Sequence, residues 1–268
     1  MTGNLAEQLA LLPEYFRGHL TLTFLSLVIG IVISLPLGVW AAQAPRIKRP
    51  LLTLVSIIQT FPSVAILALV VAMLGGRIGP LPAIIALVLY SILPIVRNTV
   101  TGLENVDEEV VTAARGIGMS PRQVLTKVRI PLALPVIIAG IRTAAVWTVG
   151  LATLSTLVGA SSFGNYIFTG LQTRNLLAVS VGSLAAAVMA VILDSIIGGF
   201  QWLALNRNAG ARSARYKVVK ILVITGLTSV LGVSVYSSLP AEEVDIVIGG
   251  KGFTEQYIVA GAVEEVLQ

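Results

Sequence analysis

The chain has 268 residues, of which 56% are hydrophobic and only 12% are charged, with a formal net charge of +5. Soluble domains carry about 25% charged residues, so the composition excludes an ordinary soluble protein and predicts an integral membrane protein. There is no cysteine, which excludes disulfide frameworks and thiolate metal sites.

Residues 1–19 precede the first long apolar run. Acidic residues come before Arg17 and no basic start is present, so we expect no signal peptide. Leucines at helical spacing favour a short interfacial helix interrupted at Pro13, and a flexible tail is the alternative. His19, the only histidine, is interpreted as an interfacial residue without chemistry.

Six apolar runs follow that predict membrane spans. About 20 residues, each rising about 1.5 Å, cross the hydrocarbon core as a helix. The predicted spans are residues 20–40, 51–74, 81–96, 132–158, 176–203 and 218–239. Phe61-Pro62 interrupts the second span. The polar, glycine-rich stretch 159–175 predicts a re-entrant or interfacial loop.

Lysine and arginine are distributed unevenly among the connecting loops. If the N-terminus is outside, 14 of the 18 basic residues lie in or beside cytoplasmic loops, and the other four are Arg17, Arg77, Arg174 and Lys251. The positive-inside rule therefore predicts that the N-terminus and the C-terminal part lie outside. The same orientation places residues 104–131 in the cytosol.

Residues 104–131, ENVDEEVVTAARGIGMSPRQVLTKVRIP, form a polar segment between the third and fourth spans. Its acids come first and its bases later, which complements a helix dipole. Ser120 followed by Pro121 is typical of an N-cap and a first-turn proline. The pattern predicts a helix, a glycine-rich break and a second short helix on the water side of the membrane.

Within this segment, TAARGIG, nine further residues and VRIP resemble the EAA loop of ABC importer permeases. That loop reads Glu-Ala-Ala, three residues, Gly, nine residues and Ile-x-Leu-Pro. The matching positions are Ala113, Ala114, Gly118 and Pro131. Thr112 replaces the glutamate, and Glu108 and Glu109 lie one turn upstream. The resemblance implies that these residues couple the chain to a separate cytosolic ATPase; an amphipathic loop without a partner is the alternative.

Further stretches resemble permeases for glycine betaine, choline, carnitine and related osmoprotectants. They are QTFPSVA from Gln59, LPIVRNT from Leu93 and IPLALPVIIAGIRTAAVWTVG from Ile130, and the resemblance covers about residues 20–205. It implies a type I importer permease fold: an all-α polytopic protein of the bacterial cytoplasmic membrane, with about six transmembrane helices and a permease domain over residues 20–240.

The same resemblance implies how such a permease works. Two copies of the chain and an ATPase dimer would import a small quaternary ammonium or betaine-type solute by alternating access. ATP and Mg would be bound by the partner ATPase, since no GxxxxGK[ST] motif is present in this sequence. We expect no catalytic residue, metal or cofactor on this chain and no nucleic-acid partner.

The composition changes after Pro240. The stretch DIVIGGKGFTEQ at residues 245–256 predicts a strand, a turn and a capped helix, so residues 241–268 are predicted to begin an extracytoplasmic α/β domain. The stretch resembles the binding protein for quaternary ammonium compounds, which some importers, including ergothioneine transporters, fuse to the permease. The resemblance implies that Thr254 and Gln256 face the ligand, with plain helix capping as the alternative for Thr254. We expect a longer natural chain.

Two residues inside the spans are candidates for the translocation pathway. Asp194 lies in the fifth span, where an ionisable group is costly; it either lines the pathway, pairs with Arg142 or lies hydrated near the cytoplasmic end. Trp147 lies in mid-span, where a ring face suits a quaternary ammonium, with a packed aromatic as the alternative. Gly182, Ala186 and Ala190 precede Asp194 at four-residue spacing and favour close helix packing, with a pathway role as the alternative.

Two other functions remain open. An ion-coupled secondary transporter would use Asp194 to carry a proton or sodium. A membrane anchor for the outer domain would transport nothing. The importer is favoured because the polar segment has no purpose in a secondary transporter, and an anchor needs only one span.

Overall fold

The computed structural model describes residues 5–206, 218–226, 228 and 232, and nearly all of this backbone is helical. The first helix, α1 (Leu5–Gln43), has 39 residues. Its predicted interruption at Pro13 is wrong, because the helix runs through both Pro13 and Pro36. Proline removes a helical hydrogen bond, but packing compensates: the Tyr15 ring meets the Tyr166 ring edge to face, with centroids 4.8 Å apart.

The second predicted span consists of two helices, α2 (Pro45–Thr60) and α3 (Ser63–Met73), which meet at 100°. The break falls at Phe61-Pro62, where the sequence predicts an interruption. Proline disfavours helical backbone in the residue before it, and Phe61 is extended, with φ −72° and ψ 140°. The pair is either a broken span or a re-entrant loop.

The next helix, α4 (Pro80–Glu104), is longer than the predicted third span and is buried along most of its length. It packs against α1 on one side and α7 (Ile130–Ala152) on the other. Glycine permits a close approach to α1, since a Cβ on Gly38 would lie 2.6 Å from the Thr99 Cβ. This central position makes α4 the core element of the bundle.

Between α4 and α7 lie α5 (Glu108–Gly116) and the one-turn α6 (Pro121–Val124). The predicted second short helix is therefore present, but it is not separate. It continues through a π-helical turn, Leu125–Arg129, into α7 and then a 3₁₀ turn, Thr153–Val158.

The predicted re-entrant or interfacial loop at 159–175 contains a helix, α8 (Gly164–Gln172), and is followed by α9 (Leu176–Leu205). A Cβ on Gly182 would lie 2.6 Å from the Tyr166 Cβ. The packing interpretation of Gly182 is therefore confirmed.

The connections give the bundle two ends. At the first, called the α5 end, α1 stops at Gln43 and α4 at Glu104, and Lys48 Nζ donates to Glu104 Oε1 at 2.6 Å. At the second, called the α8 end, the Gly79 N–H donates to the Val158 carbonyl at 2.6 Å. This bond joins the start of α4 to the 3₁₀ turn.

Four stretches of the described residues are long and apolar enough to cross a membrane, and the bent α2–α3 pair could be a fifth. The four are Gln8–Gln43, Pro80–Glu104, Pro121–Val158 and Leu176–Leu203. Half of the sixth predicted span, residues 218–239, lies outside the described residues, and 218–226 are helical. All described residues belong to one compact unit, Met1–Ser238. The predicted α/β segment, 241–268, lies outside them.

Candidate functional site

The first helix of the polar segment begins as its charge order predicts. The Asp107 side chain caps α5 by accepting a hydrogen bond from the Glu109 N–H at 2.8 Å. Glu108 and Glu109 occupy the first turn and Arg115 the last. Acids near the start and a base near the end both interact favourably with the helix dipole.

The turn after α5 is also built by local chemistry. Gly118 has φ +86°, a conformation that other residues adopt only with strain. The Ser120 N–H donates to Gln123 Oε1 at 2.8 Å, and the Gln123 N–H donates to Ser120 Oγ at 3.4 Å. This reciprocal capping box confirms Ser120 as the N-cap and Pro121 as the first-turn proline.

The apolar face of the segment is anchored at the α5 end of the bundle. Val111, Ala114 and Val124 are buried in a cluster with residues from α1, α4 and α7. Ala114, one of the predicted coupling residues, is therefore part of the anchor. Its neighbours in the motif, Thr112 and Ala113, are exposed.

The outer face presents an apolar tip. Ile117 is 77% exposed and lies directly before Gly118. Glu108, Glu109 and Pro131, which are predicted coupling residues, are exposed as well. Sequence reasoning did not single out Ile117; an isoleucine between two glycines in a polar segment is the signal that could have found it.

Ion pairs hold the segment together at its base. Glu108 pairs with Arg129 at 3.3 Å and with Arg115 at 3.8 Å. Glu108 lies on α5, and Arg129 ends the π-helical turn. Exposed pairs of this kind contribute up to about 1 kcal/mol. The pair with Arg115 lies within α5, whereas the pair with Arg129 joins α5 to the π-helical turn.

A second polar group lies inside the bundle. Arg142 on α7 donates to both carboxylate oxygens of Asp194 on α9, at 2.8 Å and 2.6 Å. It also donates to Gln201 Oε1 at 3.3 Å, and Gln201 Nε2 donates to the Pro135 carbonyl at 2.9 Å. Of the alternatives left open for Asp194, the structure shows the pair with Arg142.

The structure brings the two predicted pathway residues to one cavity. Trp147, which is 49% exposed, and Asp194 line a cavity of about 410 Å³ together with Arg142 and Thr143. Trp147 also borders a neighbouring cavity on its other side. The two residues predicted in the C-terminal segment, Thr254 and Gln256, lie outside the described residues.

His19, interpreted from the sequence as an interfacial residue without chemistry, is enclosed by the protein. Its side chain is completely buried, stacks on the Phe163 ring with centroids 4.6 Å apart, and accepts a hydrogen bond from the Phe163 N–H at 3.3 Å. The adjacent Gly18 explains the burial, because a Cβ there would lie 2.4 Å from the Ser161 carbonyl oxygen. Glycine lets α1 approach the loop before α8 closely enough to enclose His19.

Comparison with known proteins identifies relatives of the whole bundle. Residues 34–207 match the family described as "Binding-protein-dependent transport system inner membrane component". The choline transport system permease protein OpuBB of Bacillus subtilis (strain 168) is 38% identical over 179 residues, which cover 67% of this chain and 82% of the relative.

A further relative is the ergothioneine transport permease/ergothioneine binding protein EgtU of Helicobacter pylori (strain G27). It is 36% identical over 242 residues, which cover 88% of this chain but only 42% of the relative. The family match ends at residue 207. The share of the 268-residue chain that matches this relative, 88%, is longer than residues 1–207, so the likeness to the relative extends beyond residue 207.

Two solved structures share the fold. The MetNI methionine ABC transporter, in an inward-facing crystal form, matches 87% of this chain and 99% of its own with a TM-score of 0.61 and 22% identity. An amino acid ABC transporter with histidines matches 75% of this chain and 99% of its own, with a TM-score of 0.63 and 20% identity.

The family match covers the polar segment, the Arg142–Asp194 pair and most of the helical bundle. It makes the chain a multi-pass protein of the inner membrane and confirms the type I importer permease fold expected from the sequence. This chain belongs to the inner membrane components of binding-protein-dependent transport systems, the permeases of ABC importers.

Proposed function

We propose that this chain is the permease subunit of an ATP-driven importer for quaternary ammonium or betaine-type solutes. Support comes from the curated relatives, whose names specify choline, glycine betaine, carnitine and ergothioneine. These solutes share a trimethylammonium group. Choline carries a neutral hydroxyl at the other end, whereas the betaines carry a carboxylate, so the trimethylammonium group defines the class.

The observation that carries the proposal is the exposed tip of the α5–α6 segment. Ile117 is 77% exposed at the turn between the two capped helices, outside the predicted spans, and its burial in an apolar cleft of a partner would be favourable. We assign it this role, with Glu108, Glu109, Thr112 and Ala113 as the other exposed residues of α5 that take part and Gly118 shaping the turn. The partner is a cytosolic ATPase dimer, which binds ATP and Mg.

The orientation in the proposal rests on charge. Basic residues beside the α5 end include Arg46, Lys48, Arg49, Arg122 and Lys127. The positive-inside rule then assigns the α5 end to the cytosol. The N-terminus and residues 241–268 lie outside, where the latter would begin a solute-binding domain with Thr254 and Gln256 facing the ligand.

The bundle transports by alternating access in this proposal. Two copies of the chain enclose the pathway, to which the cavity at Trp147 and Asp194 belongs. Closure of the ATPase dimer displaces the α5–α6 segments, and the helices rooted there change tilt. The secondary-transporter alternative is not favoured, since the Asp194 carboxylate is already bound on both oxygens by Arg142.

Capture of the ATPase tests the proposal directly. The full chain in lipid nanodiscs should retain an ABC ATPase and stimulate its ATP hydrolysis. Ile117→Glu should reduce capture about tenfold or more, equivalent to ~1.4 kcal/mol, because a charge would enter an apolar cleft. Thermal unfolding should be nearly unchanged, since the side chain is exposed.

The matched control is Ile78→Glu. Ile78 is 69% exposed and precedes α4, so it lies at the opposite end of that helix from the segment. It should capture ATPase like the wild type. Equal capture by the Ile117 variant and the wild type, or no capture by the folded wild type, would reject the coupling role.

A further inference from the structure

The cavity on the other side of Trp147 is lined by aromatic rings. It has a volume of about 420 Å³ and is bordered by Phe61, Tyr90 and Trp147, with Gln59 and Ser63 as polar neighbours. None of the described residues that line it is charged. The volume lies in the range of small-molecule sites, roughly 300–1,000 Å³.

The rings on one side are fixed by two reciprocal hydrogen bonds. Pro94 has no N–H to donate to the Tyr90 carbonyl four residues earlier, and Gln59 Nε2 donates to that carbonyl at 3.1 Å instead. In return, the Tyr90 hydroxyl donates at 2.7 Å to the Phe61 carbonyl, which is at the break between α2 and α3. The bend is therefore docked on α4 in a defined position, with the Phe61 ring 50% exposed.

Gly150 keeps the opposite wall open. It lies one turn after Trp147 on α7 and also lines the cavity. A Cβ at Gly150 would meet nothing within 4 Å, so helix packing does not require glycine there. The missing side chain leaves space beside a half-exposed indole.

We propose that this aromatic cavity is a binding site within the permease for the trimethylammonium group of the solute, an inference that rests on the proposed function. A quaternary ammonium carries a charge but has no N–H to donate. Its favourable partners are the faces of aromatic rings, with tryptophan the best. The Ser63 hydroxyl and the Gln59 amide supply polar groups for the hydroxyl or carboxylate end.

Equilibrium binding of radiolabelled choline to the purified full chain in nanodiscs, without ATPase or ATP, tests the site. Unlabelled tetramethylammonium should displace choline, and the neutral tert-butyl analogue of choline should not. Trp147→Leu should weaken binding about tenfold, or ~1.4 kcal/mol. Trp147→Phe should retain most of it, because a ring face remains.

Gly150→Leu provides a second variant that does not remove a ring. It should fill the cavity and abolish binding while leaving thermal unfolding intact. Trp40→Leu is the matched control, since Trp40 is 52% exposed near the C-terminal end of α1 and should not affect binding. Unchanged binding in both cavity variants, equal displacement by the neutral analogue, or no choline binding by the wild type would overturn the site.

The two proposals fail separately. The binding measurement requires no ATPase, whereas the capture measurement with Ile117→Glu requires no solute. If ATPase is captured but choline binding is unchanged in the cavity variants, only the assignment of the cavity as a binding site is rejected. If the chain captures no ATPase, the proposed importer function is rejected, whether or not the cavity binds choline.

Discussion

The bidentate pair between Arg142 and Asp194 ties α7 to α9 at a depth where an unpaired charge would be costly. Its two side chains are 36% and 33% exposed, so water reaches them in part. Removing one partner of a fully buried pair costs about 3–5 kcal/mol, whereas replacing both with apolar groups is often neutral. We therefore expect the pair to matter for stability mainly because each residue neutralises the charge of the other.

We predict that Asp194→Asn lowers the stability of the bundle by roughly 2 kcal/mol, less than for a fully buried pair because of the partial exposure. The double variant Arg142→Met with Asp194→Leu should recover most of this loss. Thermal unfolding in detergent of Arg142→Met, of Asp194→Leu and of the double variant, evaluated as a double-mutant cycle, measures the coupling, and Asp194→Asn is measured beside them. A double variant no more stable than Asp194→Asn would contradict the prediction.

The same double variant separates structure from transport. If Asp194 acts only through the pair, choline uptake should follow the recovered stability. A folded double variant that no longer transports would instead assign the pair to the pathway, in agreement with its place beside Trp147 in the cavity.

At the scale of elements, the α5–α6 turn depends on one backbone conformation. We predict that Gly118→Ala destabilises the segment by about 1 kcal/mol, because φ is +86° there. Gly116→Ala is the matched control: it ends α5, has no positive φ, and its Cβ would meet nothing within 4 Å. Hydrogen exchange of the α5 amides should be faster in the first variant only, and equal rates would refute the assignment.

Whether a feature could be predicted from the sequence depends on how far apart in the chain the interacting residues lie. The Ser120 cap and the break at Phe61-Pro62 follow from neighbouring residues, so the sequence indicates both. The bond from Gln59 to Tyr90 joins residues 31 positions apart. The burial of His19 depends on Phe163, 144 positions away, so no local pattern could reveal either contact.

The predicted interruption of α1 at Pro13 is wrong for the same reason. Local chemistry favours a break at proline, but the ring contact between Tyr15 and Tyr166 is tertiary. Among the candidate site residues, the motif located the polar segment correctly. It did not separate the buried Ala114 from the exposed Ala113, and it omitted Ile117, because exposure is decided by the fold of the turn.

For the whole molecule, orientation is the property that most needs a direct measurement. The chain has no cysteine, so single cysteines can be introduced without removing others. We predict that Ile117→Cys reacts with a membrane-impermeant maleimide only in inside-out vesicles, and Ile78→Cys only in right-side-out cells. Both sites are well exposed, at 77% and 69%. The opposite labelling pattern would reverse the orientation and remove the segment from the reach of a cytosolic ATPase.

Pro94 divides α4 into two arms with different attachments. One arm holds Tyr90 and, through it, the bend at Phe61; the other ends at Glu104, where the α5 segment begins. Tyr90 and Glu104 are separated by about 21 Å of helix. Because proline lacks the N–H that would close the hydrogen bond to Tyr90, we expect α4 to bend more easily at Pro94 than elsewhere along its length. A tilt imposed at Glu104 would then be transmitted through Pro94 to Tyr90 and, through the bond from its hydroxyl, to Phe61.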